Sequence, residues 1–143
     1  MPITFIPLIN NNPWGAIVLQ GEGADGSILR HCILDGGSGT RYDLVTYTGM
    51  VSAYNAEMII DWCIFRNNKI ADDAFNAKYT RVEITNSEFN TIFSDAIDLD
   101  ISEGIIQENM FIDVKGDALD LMTSTPLVKN NYILVKGSVA GSQ

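Results

Sequence analysis

The chain repeats itself at an offset of 22 residues through its middle. Ile84-Thr85-Asn86-Ser87-Glu88-Phe89 returns as Ile106-Gln107-Glu108-Asn109-Met110-Phe111. Asp95-Ala96-Ile97-Asp98-Leu99 returns at the same offset as Asp117-Ala118-Leu119-Asp120-Leu121. A fixed period of this length implies stacked units, each too small to bury an apolar face alone.

Aligned in columns, the repeat extends beyond these two copies. A first strand type starts at Gly15, Gly49, Asp73, Asp95 and Asp117. Two residues on stand Ile17, Val51, Phe75, Ile97 and Leu119; four on stand Leu19, Ala53, Ala77, Leu99 and Leu121. Between them lie Val18, Ser52, Asn76, Asp98 and Asp120, mostly polar, which predicts a strand with one buried face. A second column begins at Leu29, Ile60, Ile84, Ile106 and Val128. Three residues later come Cys32, Cys63, Ser87, Asn109 and Asn131, and five later Leu34, Phe65, Phe89, Phe111 and Ile133.

An antiparallel sandwich gives no reason for side chains to match at a fixed offset, and the Leu-rich consensus of a leucine-rich repeat is absent. A coil of parallel strands explains the columns, because each turn rises about 4.8 Å and sets equivalent residues over one another. Aliphatic and aromatic files would fill the interior, and the Cys/Cys/Ser/Asn/Asn file would be a polar ladder at an inner turn. The expectation is one all-β domain over residues 1–143, a solenoid of about five to six turns with a 22–24-residue repeat. Residues 1–13 would form an N-terminal edge strand or cap, 14–134 the repeats, and 135–143 an incomplete last turn. The extra length between Leu29 and Ile60 falls in Asp35 to Thr48 and is expected to be a loop.

The pattern I-x-N-x-x-F followed by (D/G)-A-I-x-L resembles the right-handed parallel β-helix repeat of the pectin-lyase-like superfamily. Trp14 to Leu34, WGAIVLQGEGADGSILRHCIL, is similar to the opening turn of many of its members. The resemblance covers Trp14 to Leu134 and implies a right-handed coil. It also implies an extracellular or cell-surface setting, and a cleft, where one exists, along the outer face of the first strand. It does not fix an activity, since that superfamily includes lyases, hydrolases, epimerases, adhesins and non-catalytic modules.

Charge narrows the partners. Eighteen acids against nine bases give a net charge of −9, and the bases are scattered singly, which argues against nucleic acid and anionic membranes. No apolar run is long enough to span a membrane. The N-terminus, with no basic residue before its apolar part, does not read as a secretory leader.

Outward positions of the first strand form an acidic face: Asn76, Asp98 and Asp120 in one file, Tyr54, Lys78 and Asp100 in the next. Asn76, Tyr54, Asp98 and Asp120 are the candidate binding residues. Carboxylates a few ångströms apart can act as acid and base, so Asp98, Asp100, Asp120 and Lys78 are the catalytic alternative, a polysaccharide lyase or glycoside hydrolase. Asp98 and Asp120 could instead hold Ca²⁺ through oxygen ligands. The plainer account is a solvated face with no cofactor, because two exposed like charges about 5 Å apart repel by only about 1 kcal/mol in water. The Arg base of pectate lyases and the Gly-His-Gly and Arg-x-Lys motifs of polygalacturonases are missing, and the single histidine, His31, has no repeat-equivalent carboxylate beside it. Asp73, Asp95 and Asp117 read as turn residues. Cys32 and Cys63 read as buried free thiols in the polar ladder.

The least ordinary feature is an apolar outer flank. Outward positions of the second and third strands include Ile59, Trp62, Ile64, Ile105, Met110, Leu127 and Tyr132, where a solvent face would be polar. The favoured reading is a non-catalytic module with a structural or surface-binding role, taking a glycan or protein and associating with itself through this flank.

Overall fold

A computed structural model describes residues 1–134, and among them the parallel coil is present in the register the columns require. The first sheet stacks β2 (Ile17–Gln20), β7 (Gly49–Tyr54), β10 (Asp73–Lys78), β13 (Asp95–Asp100) and β16 (Leu119–Met122). The second stacks β3 (Ser27–Arg30), β8 (Met58–Asp61), β11 (Arg81–Thr85), β14 (Glu103–Gln107) and β17 (Leu127–Lys129). The third stacks β4 (Cys32–Asp35), β9 (Ile64–Arg66), β12 (Glu88–Ile92), β15 (Met110–Val114) and β18 (Tyr132–Leu134), with β1 (Ile3–Phe5) paired above β4. Every neighbouring pair in these three sheets is parallel, and Ile17, Val51, Phe75, Ile97 and Leu119 fall in one file.

Five strands in a sheet are separated by four circuits of chain, so the solenoid has about four turns, fewer than the five to six expected. The N-terminal segment supplies the expected edge strand, and Phe5 continues the third-sheet file above Leu34. Trp14 fastens the segment behind it by donating its indole N–H to the Asp35 carbonyl at 2.8 Å. The expected last turn, 135–143, lies outside the described residues.

The core is these files. Phe65, Phe89 and Phe111 are fully buried, and their rings stack with centroids 4.8 and 5.2 Å apart and planes within 13° of parallel. The strand spacing of a parallel sheet therefore sets the ring spacing directly. The polar file behaves as the sequence implied. Asn131 Oδ1 accepts the Asn109 backbone N–H at 3.0 Å, Asn109 Oδ1 accepts that of Ser87 at 2.9 Å, and Ser87 Oγ accepts that of Cys63 at 3.0 Å. Cys32 and Cys63 continue this file as buried free thiols.

Each circuit turns through single residues in the left-handed backbone region. Gly21, Asn55, Tyr79, Ile101 and Thr123 stand between the first and second sheets; His31, Trp62, Asn86, Glu108 and Asn130 between the second and third. Gly36, Asn67, Thr91 and Asp113 stand toward the end of the third-sheet strands. The non-glycine members have φ of 47° to 58°. Glycine and asparagine enter this region readily, and Gly21 and Gly36 open two of the files; the other side chains carry about 1–2 kcal/mol of strain each. The bend costs no hydrogen bond, because the turning N–H still reaches the next strand level: His31 to Asp61 O at 3.2 Å, Trp62 to Thr85 O at 3.2 Å.

Asp35 to Thr48 departs from expectation. It contains a short antiparallel hairpin, β5 (Thr40–Tyr42) and β6 (Val45–Tyr47), that folds back on the outer face of the first sheet. Tyr47 and Tyr54 meet with ring centroids 4.9 Å apart, the Tyr54 hydroxyl donates to the Thr46 carbonyl at 3.2 Å, and the Tyr47 hydroxyl donates to Gln20 Oε1.

Candidate functional site: the outer face of the first sheet and the apolar flank

Strand alternation points Ser52, Asn76, Asp98 and Asp120 away from the core, as the sequence implied. The hairpin changes their surroundings. Ser52 and Asn76 are fully buried and Tyr54 is 8% exposed, so the upper half of this face is covered and not solvated as expected. Asp98, Asp100 and Asp120, on the lower strands, keep partial contact with water.

The polar groups are joined in a chain. Tyr54 Oη donates to Asn76 Oδ1 at 2.6 Å, and Asn76 Nδ2 donates to Asp98 Oδ2 at 2.8 Å. Lys78, proposed as the nearby cation, is held by Asp100 Oδ2 at 2.6 Å and lies 5.5 Å from the Tyr54 ring centroid. Burial works to lower the Lys78 pKa, but the Asp100 hydrogen bond and the charges of Tyr54, Asp100 and Asp98 outweigh it and raise it. Lys78 is therefore a structural counter-ion for Asp100.

Acidity on this face is suppressed. Burial, reinforced by Asp100 and Asp120, pushes the Asp98 carboxyl up to about 6. Burial also raises Asp95, helped by Asp117 and Asp120. Asp73, read from the sequence as a turn residue, is 2% exposed, and one carboxyl oxygen, Oδ2, has no hydrogen-bond partner. Its pKa is pushed up to about 7, by burial first and by Asp98, Asp72 and Asp95 after it, with only the nearby Thr48 pulling the other way. Asp95 does act at a turn: its Oδ1 accepts the Asp117 backbone N–H at 2.6 Å. Among the described residues no group of three or more His, Cys, Asp or Glu side chains converges to hold a metal ion.

Two carboxylates with clear structural duties lie elsewhere. Asp61 accepts from Thr85 Oγ1 at 2.9 Å, Asn86 Nδ2 at 3.0 Å and Arg30 Nε at 2.9 Å, tying three levels of the coil together. Asp35 is held by Arg66 Nε and Asn67 Nδ2, each at 2.8 Å. Arg30 and Thr85 stand in register with Asp61, and Arg66 with Asp35, so column alignment already sets these partners side by side; only Asn86 and Asn67 lie one position further on.

The apolar flank is assembled as aligned. Ile28, Ile59, Glu83, Ile105 and Leu127 form one outward file, and Ile33, Ile64, Glu88, Met110 and Tyr132 the next. Trp62 at the corner is 57% exposed, Leu127 55% and Tyr132 65%. Glu83 and Glu88 divide the flank into an upper and a lower apolar patch. His31, at a turn position with φ 53°, stacks on Trp62 with centroids 6.4 Å apart.

Comparison with known proteins gives a family without an activity. The profile of the family described as Domain of unknown function (DUF8220) matches residues 65–139, just over half of the chain, and the chain belongs to that family. No curated protein and no solved structure matches it.

Proposed function

We propose that this member of the DUF8220 family is a non-catalytic β-solenoid module that associates with a second copy of itself through the lower part of its apolar flank. Exposed apolar side chains that meet at one place carry the reading. Met110, Leu127 and Tyr132 run down the outer faces of the second and third sheets to the lowest strands, β16, β17 and β18. There the inward files are also open to solvent, with Leu121 36%, Val128 40% and Ile133 56% exposed. Contiguous apolar surface of this kind marks a contact site. The pectin-lyase-like affinity and right-handed coil belong to the same reading; the repeat pattern and the parallel stacking support them.

Light scattering across a concentration series tests it. The expected result is a mass above monomer at tens of micromolar, lost in a Leu127→Lys/Tyr132→Lys variant whose circular dichroism is unchanged. A monomeric mass throughout overturns it.

One observation favours a second reading, a polysaccharide lyase or glycoside hydrolase at Asp98, Asp100 and Asp120. An acid whose pKa is raised to about 6, as Asp98 is, suits proton donation near neutral pH. Against it stand the hairpin over Tyr54 and Asn76 and the engagement of Lys78 by Asp100. Cleavage of a neutral or acidic polysaccharide that Asp98→Asn abolishes would establish this reading. Thermal stabilisation by Ca²⁺ or a glycan, lost in the same variant, would assign the face to binding.

A further inference from the structure

We propose that the β5–β6 hairpin is a proton-held strap, closed over the outer face of the first sheet while Asp73 is neutral and lifted when Asp73 ionises. Lifting frees Tyr54, which the hairpin contacts through Thr46 and Tyr47 and which itself donates to Asn76. The strap is lightly held. Its strands are three residues each, Thr40, Arg41 and Tyr42 are all exposed, and Leu44 at its tip is 90% exposed. Its grip on the sheet comes from Tyr47 and Thr46, through the ring contact and the two hydroxyl hydrogen bonds.

The strap leaves the sheet at Thr48 and Gly49, beside Asp73. The Asp73 backbone N–H donates to the Thr48 carbonyl at 3.3 Å, while Asp73 Oδ2 and Thr48 Oγ1 are buried without hydrogen-bond partners. A neutral acid and a hydroxyl can share that space. An ionised carboxylate there meets Asp72 from the preceding loop, Asp95 and Asp98 from β13, and the Tyr54 phenol from β7. Lys78, the base on the same strand, is already paired with Asp100. Among the described groups that act most strongly on Asp73, only Thr48 favours the charge and none is a cation, so release to water is the main compensation.

The direction of the response follows. The closed form holds its proton up to about pH 7, whereas a carboxyl freed to water titrates near its ordinary value of 3.8. Closure is therefore fully favoured below about pH 4, weakens as pH rises toward 7, and weakens no further above that. In this window the open fraction grows up to about tenfold per pH unit, because opening releases one proton.

Hydrogen exchange of the whole protein at pH 5 and pH 8, corrected for intrinsic amide chemistry, tests the strap. The amides of Arg41 to Tyr47 are compared with those of Val82 to Thr85 as a reference. The expected result is a loss of relative protection of about tenfold or more in the hairpin at pH 8, absent in Asp73→Asn. Hairpin protection that does not change with pH in the wild-type protein overturns the proposal without need of a variant. So does a response that Asp98→Asn abolishes and Asp73→Asn retains. Neither result depends on self-association, which light scattering reads on the opposite flank.

Discussion

Asn109 ties its own circuit to the one before it through one carboxamide: its Oδ1 accepts the Ser87 backbone N–H at 2.9 Å while its Nδ2 donates to the Ile84 carbonyl at 2.9 Å. The side chain is fully buried, so water cannot replace either bond. Asn109→Leu is expected to leave both backbone groups unsatisfied and to lower stability by about 2–4 kcal/mol, measured by urea denaturation. Ser87→Ala, which removes only the acceptor for the Cys63 N–H, should cost about 1–3 kcal/mol. Equal, small effects would mean the ladder is not a source of stability.

Phe89 lies between Phe65 and Phe111, with a ring stacked on each side. Phe89→Ala is expected to remove about 3–5 kcal/mol and to lower Tm by about 10 °C, because a gap mid-file cannot be closed from either neighbour. Phe89→Leu should lose less. Differential scanning calorimetry distinguishes the two.

These two files were readable in the sequence for a physical reason. Parallel stacking without register shift places the same chemistry at each level, so geometry appears directly as periodicity. The hairpin was not readable in that way. Its hold on the sheet depends on Tyr47 meeting Tyr54 and Gln20, and none of these contacts recurs at the repeat offset. Asp73 was read as a turn residue for a related reason: its column gave no sign that it would be buried with one carboxyl oxygen unpartnered. The left-handed corners were half visible, signalled by Asn55, Asn67, Asn86 and Asn130 but disguised by His31, Trp62 and Glu108.

Glu108 is exposed and adopts φ 57°, in the file where Asn86 and Asn130 adopt 51° and 53°. Glu108→Asn is expected to relieve strain and raise stability by about 1 kcal/mol, with Tm a few degrees higher. A decrease would show that the glutamate side chain contributes more than its backbone strain costs.

Asp61 responds to pH in the opposite direction from Asp73. Burial would raise its pKa, but hydrogen bonds from Asn86, Thr85 and Arg30 outweigh burial and lower it below its ordinary value of 3.8. It therefore adds stability above the ordinary carboxylate range and loses it as acid protonates the folded form. Chemical denaturation between about pH 5 and pH 2 should show a fall that is shallower in Asp61→Asn.

Burial pushes the Cys63 thiol up to about 11. The folded state prefers the neutral thiol, so its stability contribution holds below the unfolded value of about 9 and is lost as pH rises from there toward 11. At pH 8 the native protein should react with a thiol reagent far more slowly than the unfolded chain, which should release both thiols. Absence of free thiol after unfolding would instead reveal a Cys32–Cys63 bond.

The left-handed corners have an arithmetic consequence. Because the corners between the first and second sheets and between the second and third stack residue on residue, and the lower circuits repeat at 22 residues, the lower part of this protein changes length most simply in whole circuits. Excising or duplicating 22 residues between equivalent points, such as Asn86 and Glu108, returns each remaining side chain to a matching seat. Removing a single residue displaces everything downstream by one place, turning inward groups outward until the next circuit. Growth or shrinkage by whole circuits is the gentle way for such a chain to change size.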